Sequence, residues 1–163
     1  MTHQVVPRIN QIDEAVAEVF DQMLGRSCVP TSTESELEPI ACESSRGLTA
    51  SVLFSGSLNG TCTVHLDLST AGELTALLTG ETYDPDGPSH LSADMVGELC
   101  NMIAGSWKSR LPSEQARCGL SSPVITSEQS QLQTTELAGN FKHSLVRVYR
   151  IHDQCLILQL RFD

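Results

Sequence analysis

One stretch constrains the fold more than any other. Across 92–111, Met95, Val96, Leu99, Met102, Ile103, Trp107 and Leu111 recur at helical spacing, and Pro112 stops the helix. At about 100° per residue these side chains share one broad arc, whereas Asp94, Glu98, Asn101, Gly105, Lys108 and Ser109 occupy the opposite one. A helix this long, with an apolar face this wide, must lie against a second layer.

The rest of the chain supplies that layer as strands. Two β-rich runs, 48–55 and 61–67, are joined by Gly56, Ser57, Leu58, Asn59 and Gly60, which have the turn chemistry of a hairpin. In the second run Cys62, Val64 and Leu66 alternate with Thr63, His65 and Asp67, so one face is expected inward and the other toward water or a partner. Runs at 145–151 and 155–162, connected through His152, Asp153 and Gln154, read as a closing hairpin. Leu156, Leu158, Leu160 and Phe162 line one face that needs cover. The run 120–126 is interrupted by Pro123.

Two further helices complete the pattern. Ile9, Ile12, Val16, Val19, Phe20 and Met23 form an amphipathic stripe that Gly25 ends. Thr70 and Glu73 have capping-box spacing before a short helix over 71–79, stopped by Gly80. The segment 27–46, rich in Ser, Thr, Glu and Pro, is expected as loop with one or two short edge strands, since Pro30 and Pro39 exclude a central one; 81–90 is loop by composition. The order helix, strands, helix, helix, strands predicts an α+β fold: an antiparallel sheet packed with two long helices and one short helix.

Size and charge narrow the function. The 163 residues suit a single domain, and 10 Lys and Arg against 20 Asp and Glu give a formal charge of -10, which repels polyanions and argues against nucleic acid as a partner. No long apolar run and no basic, apolar leader points to a membrane or to export, so the expected location is cytoplasmic. The six cysteines, at 28, 42, 62, 100, 118 and 155, include no CxxC pair, and each is expected as a buried reduced thiol. The histidines at 3, 65, 90, 143 and 152 show no ligand spacing, which speaks against a metalloenzyme. Asn59, Gly60 and Thr61 form a glycosylation sequon in name, but read better as a turn.

The exposed arc of the longest helix carries the candidate chemistry. Glu98 and Asn101, at i and i+3, project side by side, and Gly105, one turn on, has no side chain to block an approaching surface. The combination suits contact with another protein, although an ordinary solvated helix face shows the same residue types. The longer string over 94–105, DMVGELCNMIAG, closely resembles the signature helix of the CheC/CheX/FliY group of chemotaxis phosphatases, centred on Glu-x-x-Asn followed by an apolar pair, a small residue and Gly. The resemblance extends to Phe54, Ser55 and Gly56 through Gly60, to Leu77, Leu78, Thr79, Gly80 and Glu81, and to Leu120, Ser121, Ser122, Pro123, Val124 and Ile125. It covers most of the chain as one CheX-like domain, 1–163. Trp107 is bulkier than family members commonly have two places after the motif Gly, and its expected direction is toward the core.

That resemblance implies a reaction and its participants. The substrate is the aspartyl phosphate of a CheY-type response regulator, and the reaction is its hydrolysis. Asn101 orients the attacking water, and Glu98 reaches a cationic group on the regulator, such as its active-site Lys. The phosphatase needs no cofactor of its own, because the regulator brings the Mg2+. CheC-type members carry two Glu-x-x-Asn sites and CheX one. On the N-terminal helix Glu14 and Glu18 are followed three residues on by Ala17 and Asp21, so the single site here favours the CheX branch. The resemblance also implies a homodimer joined through β-structure. The alternative is a dimeric CheX-like binding module that docks on a signalling or flagellar-switch partner without catalysis.

Overall fold

β2 (Gly47–Ser55) and β3 (Gly60–Asp67) pair from Gly47↔Asp67 to Phe54↔Gly60, and around this hairpin the sheet is assembled. In the computed structural model residues 9–31, 46–82, 89–127 and 141–163 are described. β3 also pairs with β7 (Gln154–Phe162), which pairs with β6 (His143–Ile151) across a turn at His152, whose φ is 54°. β1 (Val29–Pro30) lies on β6 at one edge, and β4 (Gly119–Leu120) and β5 (Val124–Thr126) lie on β2 at the other. Every pairing is antiparallel, in the order β1-β6-β7-β3-β2-β4 with β5 also on β2.

Three helices cover one face. α1 (Ile9–Leu24) buries Ile12, Val16, Val19 and Phe20, and Gly25, at φ 59°, turns the chain out of the helix as expected. α3 (Ser89–Ser109) buries Met95, Val96, Leu99, Cys100, Ile103, Ala104 and Trp107. Trp107 is fully buried, edge-on to Phe54 at 5.3 Å and tilted against Phe162 at 6.0 Å, so its bulk fills the space between helix and sheet. The core is one continuous cluster between these helices and the leucine face of β7.

Several expectations need correction. α2 (Leu68–Thr79) begins three residues before the expected start at 71 and two before Thr70 of the capping box proposed for it. Asp67, in extended geometry at the end of β3, accepts a 2.7 Å hydrogen bond from the Thr70 backbone N–H and caps the helix instead of Thr70. Met102 lies at the border of the apolar arc and is half-exposed. The polar face of β3 is not open to water: Thr61, Thr63 and His65 are all buried, His65 to 1% exposure. Polar groups of β3 pair across to β2: Ser51 with Thr63 at 2.9 Å, and Thr49 Oγ1 with His65 Nδ1 at 2.8 Å. Cys155, half-buried on β7, is disulfide-bonded, whereas Cys28, Cys62, Cys100 and Cys118 are buried free thiols. Sequence spacing rules out local cysteine motifs but carries no information on pairs brought together by folding. The loop residues 83–88 and the apolar patch at 40–42 lie outside the described residues.

Candidate functional site

The solvent face of α3 is positioned from three directions. Underneath, the Cys100 S–H is shared between the carbonyl oxygens of Ala50 and Cys62, each 3.4 Å away, which ties the helix to β2 and β3. The hydrogen bond with Cys100, together with burial, pushes the Cys62 thiol well above its ordinary pKa, so Cys62 is a protonated packing group.

On one flank α3 meets α1. Arg110, just past the helix end, pairs with Glu18 and lies 3.7 Å from Glu14, while its guanidinium also donates to the Ser106 carbonyl at 2.9 Å. The hydrogen bond from Arg110 holds the Glu18 carboxyl below the usual carboxylate range. α1 is in turn fixed to the sheet: Arg147 donates twice to Asp13, at 3.1 and 2.6 Å, and the Tyr149 hydroxyl donates to the same carboxylate at 2.8 Å.

On the other flank lies the segment 120–125. Gly97 is buried against it: a β-carbon there would stand 3.0 Å from Ile125 Cδ1 and 3.3 Å from Pro123 Cγ. At Gly105 a β-carbon would meet Leu120 Cδ1 at 4.0 Å, an ordinary contact.

Between these supports Glu98 is exposed and Asn101 half-exposed, three residues apart on one face, with half-exposed Gly105 a turn further along. Neither the Glu98 carboxylate nor the Asn101 carboxamide has a side-chain hydrogen bond or ion pair among the described residues, unlike nearby Glu18 and Arg110. A carboxylate and a neutral amide are thus presented together, both free to take a water or a partner's donor. Asp94 is exposed and Lys108 half-exposed on the same side.

The other candidate chemistries do not gather here. His65 is buried under the sheet, His143 stacks on Phe162 at 5.1 Å, and His152 Nε2 is 3.1 Å from an Arg26 guanidinium nitrogen at the β6–β7 turn. Among the described residues no three of His, Cys, Asp or Glu cluster so as to hold a metal ion. No helix among them is long and apolar enough to cross a membrane. The close packing at Gly97 escaped the sequence reading. Its signal was there: a glycine in a helix interior costs about 1 kcal/mol relative to alanine and asks for a packing reason.

Comparison with known proteins follows the same lines. The family model described as chemotaxis phosphatase CheX matches residues 48–144. Among solved structures, the chemotaxis protein CheX from Vibrio vulnificus superposes with a TM-score of 0.74 at 20% identity, over 95% of each chain. The CheX of the CheX-CheY-BeF3-Mg+2 complex from Borrelia burgdorferi gives 0.70 at 18% identity, covering 94% of this chain and 96% of that one. A CheC-like superfamily protein from Shewanella sp. PV-4 gives 0.73 at 16% identity, covering 97% and 98%. No curated protein matches the sequence.

Proposed function

This chain belongs to the chemotaxis phosphatase CheX family, and from that premise we propose that it hydrolyses the aspartyl phosphate of a CheY-type response regulator, with Glu98 and Asn101 as the working side chains. The observation that carries the reading is the pair itself: a carboxylate and a carboxamide side by side on α3, without partners among the described residues, on a helix whose opposite face is locked into the core.

The chemistry asks little of the phosphatase beyond placement. An acyl phosphate is already activated, and the regulator brings its own Mg2+ and lysine as part of the substrate. A water oxygen attacks phosphorus in line, the bond from phosphorus to the aspartyl oxygen breaks, and the aspartate leaves as carboxylate while the water's protons go to the phosphate product. The Asn101 carboxamide, which can both accept and donate, orients that water. Glu98 accepts from a cationic group on the regulator, fixing the register in which the two proteins meet. Gly105 leaves the surface low enough for the regulator to approach, and neither side chain acts as a metal ligand.

Homodimerisation is part of the same proposal. The sheet face turned away from the helices exposes Leu53 and Val124 toward one edge and Val146 toward the other, a face that a second copy would cover. Light scattering of the purified chain reads this directly: a mass near twice 17.7 kDa is expected, and a monomer at all concentrations removes dimerisation from the reading.

The experiment on function follows the lifetime of the aspartyl phosphate on a CheY-type regulator from the same genome. Wild type is expected to shorten it, with Glu98→Ala and Asn101→Ala each losing most of the effect. A complex that forms while the phosphoryl lifetime stays constant would instead identify a docking module without catalysis.

A further inference from the structure

We propose that Gly97 is a positioning residue for this site: by having no β-carbon it lets α3 seat against Pro123 and Ile125, and that seating sets where Asn101 stands. The inference rests on the phosphatase reading above and adds to it a residue one turn before Asn101 on the same flank of α3.

Gly97 and Gly105 lie four residues before and after Asn101, so all three project to one flank of α3, at successive turns. The segment 120–125 runs along that flank, with Leu120 opposite Gly105 and Pro123 and Ile125 opposite Gly97. Asn101 stands halfway along the contact. The two ends differ in tightness: an added β-carbon has ordinary room at Gly105, whereas at Gly97 it would fall 3.0 Å from Ile125 Cδ1 and 3.3 Å from Pro123 Cγ, inside the ~3.5–4.0 Å of a normal carbon contact.

The segment has little freedom to retreat. Ile125 pairs with Ala50 and Val124 with Ser51 on β2. The Ser121 N–H donates to the Leu53 carbonyl at 2.9 Å, and the Leu53 N–H donates to Ser121 Oγ at 2.9 Å. Pro123 is a closed ring whose Cγ moves only by a change of pucker. The nearest atom, Ile125 Cδ1, is the end of a side chain, so a β-carbon at 97 is accommodated by a few tenths of an ångström shared between Ile125 and α3, and the share taken by the helix carries Asn101 with it. Helix propensity works the other way, since alanine is favoured over glycine in a helix interior. Effects on stability and on activity therefore separate.

The test uses the full chain as wild type, Gly97→Ala, Ile125→Val, which removes the nearest atom, and Gly97→Ala/Ile125→Val. Two readouts are taken: regulator dephosphorylation as a function of phosphatase concentration, and the side-chain amide resonances of Asn101, assigned by their loss in Asn101→Ala. A misplacement of about 1 Å costs on the order of 10²-fold in rate, so Gly97→Ala is expected to lower the maximal rate roughly three- to tenfold. The half-saturating concentration should stay within about twofold, and the Asn101 resonances should move; the double variant should restore both toward the Ile125→Val values. Wild-type rate with unmoved resonances in a folded Gly97→Ala overturns the proposal, as does a defect that Ile125→Val does not relieve. If Gly97→Ala fails to fold, recovery of fold and rate in the double variant supports the contact, and failure of both overturns it. If wild type acts on no regulator, the phosphatase reading falls, and the Asn101 resonances alone decide whether Gly97 places that side chain.

Discussion

Removing the Asp13 carboxylate tests how α1 is held against the sheet. Asp13 accepts three hydrogen bonds, two from Arg147 and one from Tyr149, and the ion pair is largely withdrawn from water, the side chains being 21% and 20% exposed. Its partners respond to the same arrangement: the hydrogen bond to Asp13 raises the Arg147 pKa above its ordinary value, and burial raises that of Tyr149, with Asp13 adding to it. In Asp13→Ala the Arg147 cation and the Tyr149 hydroxyl lose their acceptor where water replaces it poorly. Breaking a buried pair costs roughly 3–5 kcal/mol and a surface pair about 0–1. With about a fifth of each group still solvated, the expected loss is about 2–3 kcal/mol. Tyr149→Phe removes one hydrogen bond to a charged group and leaves Arg147 in place, for about 1–2 kcal/mol. At roughly 2–4 °C per kcal/mol for a chain of this size, the melting temperatures should fall by about 4–12 °C and about 2–8 °C. Urea unfolding of both variants and of the double variant measures the coupling, which should be non-additive because one carboxylate serves both donors. A loss below about 0.5 kcal/mol in Asp13→Ala, or strict additivity, would refute the clamp.

Two other outcomes follow from the buried polar face of β3. Burial lowers the His65 pKa, so the unfolded chain takes up this proton first as pH falls; stability should decline from about pH 6.5 downward toward the lowered value. Urea midpoints at pH 7.5 and 5.5 should differ less in His65→Gln than in wild type, and equal drops contradict the assignment. At Gly47 a β-carbon would run into the His65 ring and the Leu66 carbonyl oxygen, so Gly47→Ala should cost about 2 kcal/mol or more, read as a lower melting temperature; an unchanged one refutes the close packing.

What could be read before folding was whatever local periodicity and turn chemistry determine. The apolar arcs of α1 and α3, the glycine stops at Gly25 and Gly80 and the β2–β3 hairpin are each decided by neighbours in sequence. The leucine face of β7 announced its own burial in the same way. The misreadings share the opposite cause. His65 and Thr63 alternate with apolar residues as a solvated face does, yet in the fold both are buried and hydrogen-bonded to residues of β2. Asp67 belongs by pattern to the strand and by hydrogen bonding to the helix that follows. The disulfide of Cys155 depends on long-range pairing that spacing does not encode.

The site divides along the same line. Helical geometry alone puts Glu98, Asn101 and Gly105 on one face, and the resemblance of 94–105 to the family's signature helix is what singled them out. Gly97 takes its meaning from Pro123 and Ile125, more than two dozen residues away, and became legible only when β5 was seen beside α3.

The most direct measurement of the central claim is the hydrolysis rate of a phosphorylated CheY-type regulator at saturating concentrations of wild type and of Asn101→Ala. If the carboxamide orients the attacking water, the maximal rate should fall on the order of 10²-fold or more, with the half-saturating concentration changed by less than about threefold. An Asn101→Ala variant that turns over at the wild-type rate, or that differs only in how tightly it binds, would contradict the account.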